Sequence, residues 1–340
     1  MHKASLKRYR TVIFISIILI LIAMYMSITI GTYDISMKDI IDTLFRINPD
    51  PNNDLVIFEF RLPRIVIGAL VGFGFGIAGT VIQGITKNGL ADPGILGINA
   101  GAGMAIVLFI FLFQGKFTNT GWLSIFAMPL FGLIGGLTSA ILIYLFAWKN
   151  GRLDTQRLIL VGIAISSGLG AISLFISLKM NPSDFEMATV WINGSIWNAN
   201  WKYILSIIPW IIFLFPMILR KAFILDLFQL EENTVKSLGI ATEKEKAILL
   251  LAAIGIVSAC VSVSGNIGFV GLLAPHIAKS LVGIQHKRVI PVAGLIGMLL
   301  VIVSDFIGKT IFAPAELSVG IVISIIGIPY FVYLLLKAKV

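Results

Sequence analysis

Cysteine and histidine are scarce in this sequence, and their scarcity excludes several kinds of site. A single cysteine, Cys260, stands among 340 residues, which excludes an internal disulfide and a cysteine-cluster metal site. The three histidines, His2, His276 and His286, have no carboxylate or cysteine at ligand spacing. We therefore predict that the chain binds no metal, and that Cys260, which lies in an apolar run, is a small packing residue.

Motifs of catalysis and nucleotide binding are also missing. The sequence contains no Gly-x-Ser-x-Gly nucleophile motif and no Walker A phosphate-binding loop. We therefore predict that the chain is not an enzyme, and that any ATP-driven transport takes its energy from another polypeptide. A membrane-embedded enzyme or sensor is an alternative class, which a buried cluster of catalytic groups would distinguish.

Charged residues make up only 13% of the chain, whereas 58% of it is hydrophobic and the mean hydropathy is +0.98. A soluble domain of this length cannot bury so much apolar surface, so lipid must be the solvent for much of it. The formal net charge is +9. Basic membrane proteins carry such an excess on cytoplasmic loops, so we expect no nucleic-acid partner.

Ten apolar segments predict an all-α polytopic membrane protein with about ten transmembrane helices. The first segment follows a basic N-terminus, but no small-residue cleavage site comes after it, so we expect a retained helix rather than a signal peptide. The segment that contains Pro275 is the shortest. The predicted spans of this single domain, 1–340, are 11–30, 65–85, 95–113, 122–148, 158–178, 201–219, 247–264, 267–281, 289–307 and 317–336, with 220–246 as the longest cytoplasmic loop.

The distribution of basic residues orients these spans. With the N-terminus inside and ten crossings, 18 of the 26 Lys and Arg residues lie inside. Because cytoplasmic loops carry the excess of basic residues, this asymmetry predicts that both termini are cytoplasmic.

Carboxylates are nearly absent from the predicted spans. Asp305, near the outer end of the ninth segment, is the exception, and we expect it to pair with Lys309 four residues on. Ion-coupled secondary transporters usually keep a titratable group near the middle of the bilayer, so that class is disfavoured. Uptake that persists without ATP but collapses with the proton gradient would favour it.

Glycines recur every four residues in the second segment, at Gly68, Gly72 and Gly76. Such a stripe of small residues lets a neighbouring helix approach closely, so these glycines are predicted helix-packing positions.

Two arginines, Arg61 and Arg64, stand at the outer end of the second segment, against the prevailing charge distribution. They are predicted to form a cationic docking surface for an acidic extracellular partner, together with Lys309. The alternative is that the arginines reach out to lipid phosphates.

The loop 220–246 shows the charge order of a short helix. Residues 231–238 have acids in the first turn and Lys236 near the end, and Gly239 follows as a C-cap. Residues 242–245 then fit a capping box. A capped cytoplasmic helix suits docking on a soluble partner, and an ordinary interfacial helix is the alternative.

These segments together resemble the FecCD family, the permease subunits of ABC importers for iron-siderophores, haem and cobalamin. The resemblance covers nearly the whole chain. The residues that carry it are RLPR at 61–64, the glycine-rich second segment, NGLADPGILG at 88–97, GNIGFVGLLAPHIAK at 265–279 and PAELSVGIVISIIGIPYFVYLLLK at 314–337.

The resemblance implies the type II ABC importer fold of the cobalamin permease in the cytoplasmic membrane. It implies a second permease, identical or homologous, two cytoplasmic ATPases that carry ATP and Mg²⁺, and an extracellular substrate-binding lipoprotein or periplasmic protein. Among the family's cargoes we expect an iron-siderophore, with cobalamin or haem as the alternative.

The resemblance also assigns roles to residues of this chain. It implies binding-protein docking at Arg61, Arg64 and Lys309, ATPase coupling at Glu231, Glu232, Val235, Leu238 and Gly239, and an inner gate at Thr155 and Gln156.

Overall fold

The chain folds almost entirely into α-helices. The computed structural model describes residues 6–31, 35–47, 50–113, 122–313 and 315–337. The helices are α1 Leu6–Thr29, α2 Met37–Leu44, α3 Pro51–Asp54, α4 Leu62–Thr86, α5 Ile98–Phe113, α6 Trp122–Ala147, α7 Thr155–Ser177, α8 Pro182–Ile192, α9 Trp201–Arg220, α10 Ala222–Leu227, α11 Glu232–Ser237, α12 Thr242–Ser264, α13 Val270–Val282, α14 His286–Ile311 and α15 Val319–Lys337.

Each of the ten apolar segments coincides with one of these helices. Seven are long and apolar enough to cross a membrane within the described ranges, namely α1, α4, α6, α7, α9, α12 and α14. Helices α5 and α13 and the apolar stretch Val319–Tyr333 are shorter. The chain is therefore an all-α protein with several membrane-spanning helices, whereas the count of ten crossings stays a prediction.

Two helices begin three residues later than their apolar segments. Helix α5 begins at Ile98 because a separate 3₁₀ turn covers Pro93–Leu96 and ends at Gly97, whose φ is +72°. Helix α13 begins at Val270 because Phe269 has a left-handed backbone, with φ +65°. Hydrophobicity shows neither break, because the residues on both sides of each break are apolar.

Helix α4 lies at the centre of the bundle and packs on the backbone of α14. A Cβ atom added to Gly72 would lie 2.2 Å from the carbonyl oxygen of Gly297, and one added to Gly76 would lie 2.2 Å from that of Ala293. At Gly68 the nearest atom is the Cδ1 of Ile196, at 3.2 Å. Gly72 and Gly76 thus form the face on which α4 and α14 meet without side chains between them, whereas Gly68 lies against side chains.

Helices at the periphery turn large apolar side chains outward. Phe14 of α1, Leu160 of α7, Phe213 of α9 and Ile325 of α15 are all exposed. Exposed apolar surface of this extent requires lipid or another subunit against it.

A short hairpin joins α6 to α7. Strands β1 Trp148–Lys149 and β2 Arg152–Leu153 pair antiparallel. Asn150 and Gly151 form the turn with φ +52° and +74°, as a two-residue hairpin of type I′ requires. Asp154 then accepts hydrogen bonds from the backbone N–H groups of Gln156 and Arg157 and caps α7.

Candidate functional site

The three basic residues predicted to form the outer docking surface lie together. Arg61, Arg64 and Lys309 line one cavity of about 270 Å³ at the end of the bundle predicted to face outward. The other residues that line it are Ser27, Gly31, Val56, Phe60, Trp197, Ala199 and Glu316. The fold thus brings the start of α4 and the end of α14 to one place, although their residues are far apart in the sequence.

Arg64 is engaged by two carboxylates of the chain itself. Its Nε atom lies 2.9 Å and 3.0 Å from the two carboxylate oxygens of Asp305. Its Nη2 atom lies 2.8 Å from Oε2 of Glu316. The Arg64 side chain is 14% exposed and that of Asp305 3%. The charge of Arg64 is therefore balanced within the protein, which a two-pronged guanidinium can do with two acids at once.

The prediction that Asp305 pairs with Lys309 is wrong. The Nζ atom of Lys309 instead donates to the backbone oxygen of Ser27 at 2.7 Å and to its hydroxyl at 2.8 Å. Arg64 takes the carboxylate because its fork matches both oxygens of Asp305. Among the described residues, Lys309 has no carboxylate within 4.0 Å.

Arg61 and Lys309 both contact the last turn of α1. Arg61 donates to the backbone carbonyl of Ile28 and, at 3.3 Å, to that of Thr29. The last carbonyls of a helix have no partner within the helix and carry partial negative charge. These two cations therefore fix the end of α1 at the rim of the cavity.

At the opposite end, α11 occupies the predicted coupling segment. It covers Glu232–Ser237 with Glu231 as its N-cap residue, and Gly239 follows with φ +80°. Val235 is buried in the core, while Glu231, Leu238 and Gly239 are exposed. The helix is thus anchored by one apolar side chain and presents the rest of its surface outward.

Glu232 is held by basic neighbours. Its carboxylate lies 2.6 Å from the Nζ atom of Lys236, one turn on. The hydrogen bond from Lys236 and the charge of Lys246 lower the pKa of Glu232, although its partial burial opposes them. The carboxylate therefore stays ionised at neutral pH.

The capping box predicted at residues 242–245 does not form. Ala241 is the N-cap residue of α12 and gives no side-chain cap. Glu245 pairs instead with Lys221, and Glu243 accepts the backbone N–H of Leu153 at 2.8 Å. The helix begins one residue earlier than the box requires, since Thr242 is already its first residue, and both acids bind other segments.

The predicted gate residues start α7. Thr155 is half-buried and Gln156 is exposed. Thr155 lines a cavity of about 240 Å³ together with Glu232, Val235 and Lys246. The structure therefore places the predicted gate residue beside the predicted coupling segment, a proximity that the sequence did not predict.

Residues in and next to two of the motifs quoted above contact each other. The amide of Asn99 donates to the side-chain oxygen of Asn266 at 2.6 Å, and a Cβ atom on Gly271 would lie 2.5 Å from Cδ of Pro93. Asp92 accepts the backbone N–H of Gly94 at 2.7 Å. Burial raises the pKa of Asp92 to about 6, against hydrogen bonds from the backbones of Gly94 and Phe269. Residues 92–99 and 265–271 are thus one packing unit.

Comparisons with known proteins agree along nearly the full length. Residues 18–337 match the FecCD transport family. The iron-uptake system permease protein FeuC of Bacillus subtilis (strain 168) is 56% identical over 95% of this chain and 96% of that protein. The iron(3+)-hydroxamate import system permease protein FhuG of the same organism is 44% identical over 96% of each. The hemin transport system permease protein HmuU of Yersinia pestis is 32% identical, over 96% of this chain and 95% of that protein.

A solved structure has the same fold. It is an ABC transporter assigned to the metal-chelate type, in an inward-facing conformation, with a TM-score of 0.83 and 28% sequence identity. The match covers 96% of this chain and 99% of that one.

The bundle of apolar helices, with a cationic cavity at one end and the short helix α11 at the other, together with these relatives, defines a multi-pass membrane transport protein. The chain belongs to the FecCD transport family. The fold expected from the sequence, that of the FecCD permeases of ABC importers, is thereby confirmed.

Proposed function

We propose that the chain is the membrane-spanning permease subunit of an ATP-driven importer that moves an iron-siderophore complex across the cytoplasmic membrane. The observation that carries this proposal is the 56% identity to an iron-uptake permease over nearly the whole length of both chains. The hydroxamate permease, at 44%, supports an iron chelate as cargo. Haem and cobalamin are the alternative cargoes, and the hemin permease is less similar, at 32%.

The proposed assembly contains a second permease, identical or homologous, and two cytoplasmic ATPase subunits. A substrate-binding lipoprotein or periplasmic protein delivers cargo on the outside. Both termini of this chain are placed in the cytoplasm. ATP hydrolysis is assigned to the ATPase subunits, which hold ATP and Mg²⁺, and this chain binds no cofactor or metal of its own.

The docking surface is proposed to work unequally. Lys309 contacts neutral groups only among the described residues, so an acidic side chain of the binding protein gains a new partner there. Arg64 is already neutralised by Asp305 and Glu316. We therefore assign docking chiefly to Lys309, with Arg61 beside it in the same cavity, and a supporting role to Arg64.

The coupling surface is assigned to the exposed side of α11. Leu238 and Glu231 are exposed there, next to the buried Val235, so an apolar contact and a charge are available to a soluble ATPase. Thr155 and Gln156 form the proposed inner gate at the start of α7.

A secondary transporter is the competing class, and one contact argues against it. Asp305, the carboxylate near the outer end of α14, is bound by Arg64 through both oxygens. A coupling carboxylate must take up and release an ion in each cycle, and this ion pair opposes both.

Uptake by cells that lack this chain, with and without a plasmid copy, tests the proposal. Ferric catecholate, hydroxamate and citrate chelates, haem and cobalamin are supplied with radioactive metal. Restoration of ferric-chelate uptake that needs the ATPase supports it. Restoration of haem or cobalamin uptake alone overturns the assignment of an iron-siderophore as cargo. Uptake that needs only the proton gradient overturns the assignment to ATP-driven importers.

A further inference from the structure

The first turn of α12 stands between the coupling segment and the hairpin that leads to the gate. Glu243 and Lys246 are the two residues of that turn that face both neighbours. One carboxylate oxygen of Glu243 accepts the N–H of Leu153, in β2, at 2.8 Å. The other lies 2.9 Å from the Nζ atom of Lys246. Glu243 therefore joins α12 directly to the strand that precedes α7.

Lys246 makes the second link. Its Nζ atom lies 3.7 Å from Oε2 of Glu232 on α11. The Lys246 side chain is 11% exposed, so this ammonium group is largely out of water. A continuous set of polar contacts thus runs from Glu232 through Lys246 and Glu243 to the backbone of Leu153.

Burial of the Lys246 ammonium group calls for a reason. Removing a charge from water is costly, and apolar residues of similar volume in its place are often neutral or stabilising. A gain in stability therefore does not account for this buried ion pair. The contacts do fix three segments relative to one another, because Glu232 belongs to α11, Glu243 and Lys246 to α12, and Leu153 to β2.

The surroundings leave space for a change of position. The cavity of about 240 Å³ lies between the two linked segments and is lined by Leu153 and Thr155 on one side and Glu232 and Val235 on the other. Asp154, next to Leu153, caps α7 through the N–H groups of Gln156 and Arg157. A shift of Leu153 is therefore passed to the start of α7 within two residues.

We propose that Glu243 and Lys246 are positioning residues that transmit movement of α11 to the inner gate at Thr155 and Gln156. When the ATPases move α11, Glu232 draws Lys246, and Glu243 draws the N–H of Leu153, so that β2 and the first turn of α7 follow. The inference rests on the proposed function, since it needs an ATPase that moves α11.

The test uses the complete complex, with both permeases, the ATPases and the binding protein, reconstituted in liposomes. The variants are Glu243→Gln and Lys246→Met, which keep the size of each side chain and remove its charge. The matched control is Lys244→Gln, because Lys244 lies on the same turn and is exposed. The measured quantity is the amount of cargo transported per ATP hydrolysed.

Both charge-removing variants are expected to lower this ratio by at least about fivefold, which is the lower end of the coupling typically found between two sites. Basal ATP hydrolysis and the amount of ATPase that co-purifies should stay as in the unchanged complex. Lys244→Gln should keep the ratio, and so should Lys246→Arg, which retains the positive charge. A purely structural role would instead lower assembly and leave the ratio in the surviving complexes unchanged.

A ratio that stays equal to that of Lys244→Gln in both variants overturns the proposal. Should Glu243→Gln fail to assemble, Lys246→Met alone decides, since it removes the same link from its other partner. The unchanged complex separates the two levels of inference. If it shows no ATP-dependent uptake, the proposed function fails, whereas uptake with unaffected variants rejects the link alone.

Discussion

Arg64 of α4 and Asp305 of α14 form a two-point ion pair, with Nε of the arginine at 2.9 Å and 3.0 Å from the two carboxylate oxygens. The pair joins residues 241 positions apart and lies beside the outer cavity. It decides how the cations around that cavity divide their roles.

Substitution Asp305→Asn is expected to destabilise the protein. It removes one of the two carboxylate partners of the largely buried Arg64 guanidinium. Breaking a buried pair in this way typically costs about 3–5 kcal/mol. Glu316 still faces Arg64, so we expect a loss toward the lower end. The thermal unfolding midpoint in detergent measures it. Glu316→Gln is the control with a smaller expected loss, because Glu316 is more exposed. Equal losses would contradict the central place given to Asp305.

Charge reversal at Lys309 is expected to weaken docking of the loaded binding protein. Each exposed ion pair contributes about 0.2–1 kcal/mol, and reversal adds repulsion to its loss. The half-saturating binding-protein concentration for stimulation of ATP hydrolysis should therefore rise several-fold in Lys309→Glu, and more so together with Arg61→Glu. Added salt should reduce the difference, since it screens exposed charges.

Lys38→Glu is the matched control for docking, because Lys38 is an exposed lysine of α2 outside the cavity. An unchanged half-saturating concentration in Lys309→Glu, or an equal rise in Lys38→Glu, would show that docking lies elsewhere or responds only to net charge.

Substitution Gly72→Ala is expected to separate α4 from α14. The added methyl group would lie 2.2 Å from a backbone oxygen of α14, and a backbone cannot yield as a flexible side chain can. Overpacking of this kind costs about 1–3 kcal/mol or more. Gly103→Ala in α5 is the control, because nothing lies within 4 Å of its Cβ position. There, helix propensity predicts unchanged or slightly higher stability.

Asp92 should make stability depend on pH. Burial raises its pKa to about 6, above that of an unfolded aspartate, so the native state holds a proton more readily than the unfolded state. Its contribution is present below about pH 4 and is lost as pH rises through about 6, with an amplitude of at most about 3 kcal/mol.

Unfolding midpoints measured between pH 4 and pH 7 test this expectation. The variant Asp92→Asn should show a flatter profile than the unchanged protein over that range, whatever its absolute stability. Parallel profiles for the two proteins would contradict the assignment to Asp92.

Hydrophobicity and local charge order predicted the helices well. The ten apolar segments each contain a helix, and the acids, Lys236 and Gly239 located α11 almost to the residue. These features depend on neighbours within about one helical turn, which is the range over which sequence spacing has a definite geometry.

The failures share a cause. Asp305 was paired with Lys309 and Glu245 with the start of its own helix, both by local spacing, whereas Arg64 and Lys221 hold them in the fold. Local spacing shows which contacts are possible, and tertiary packing decides which of them form. For the same reason, the sequence could not predict the contact between Asn99 and Asn266. Nor could it predict the cavity that Glu232 and Thr155 share.

The glycine contact of α4 and α14 has a kinematic consequence. Because Gly72 and Gly297 meet backbone to backbone, these helices cannot slide past each other or rotate without collision, and they form a single stiff body at the heart of the subunit. We therefore expect movement within the subunit to fall to helices such as α7, where nothing lies within 4 Å of the Cβ positions of Gly168 and Gly170. Within the subunit, α4 and α14 would then keep their relative positions while other helices move around them.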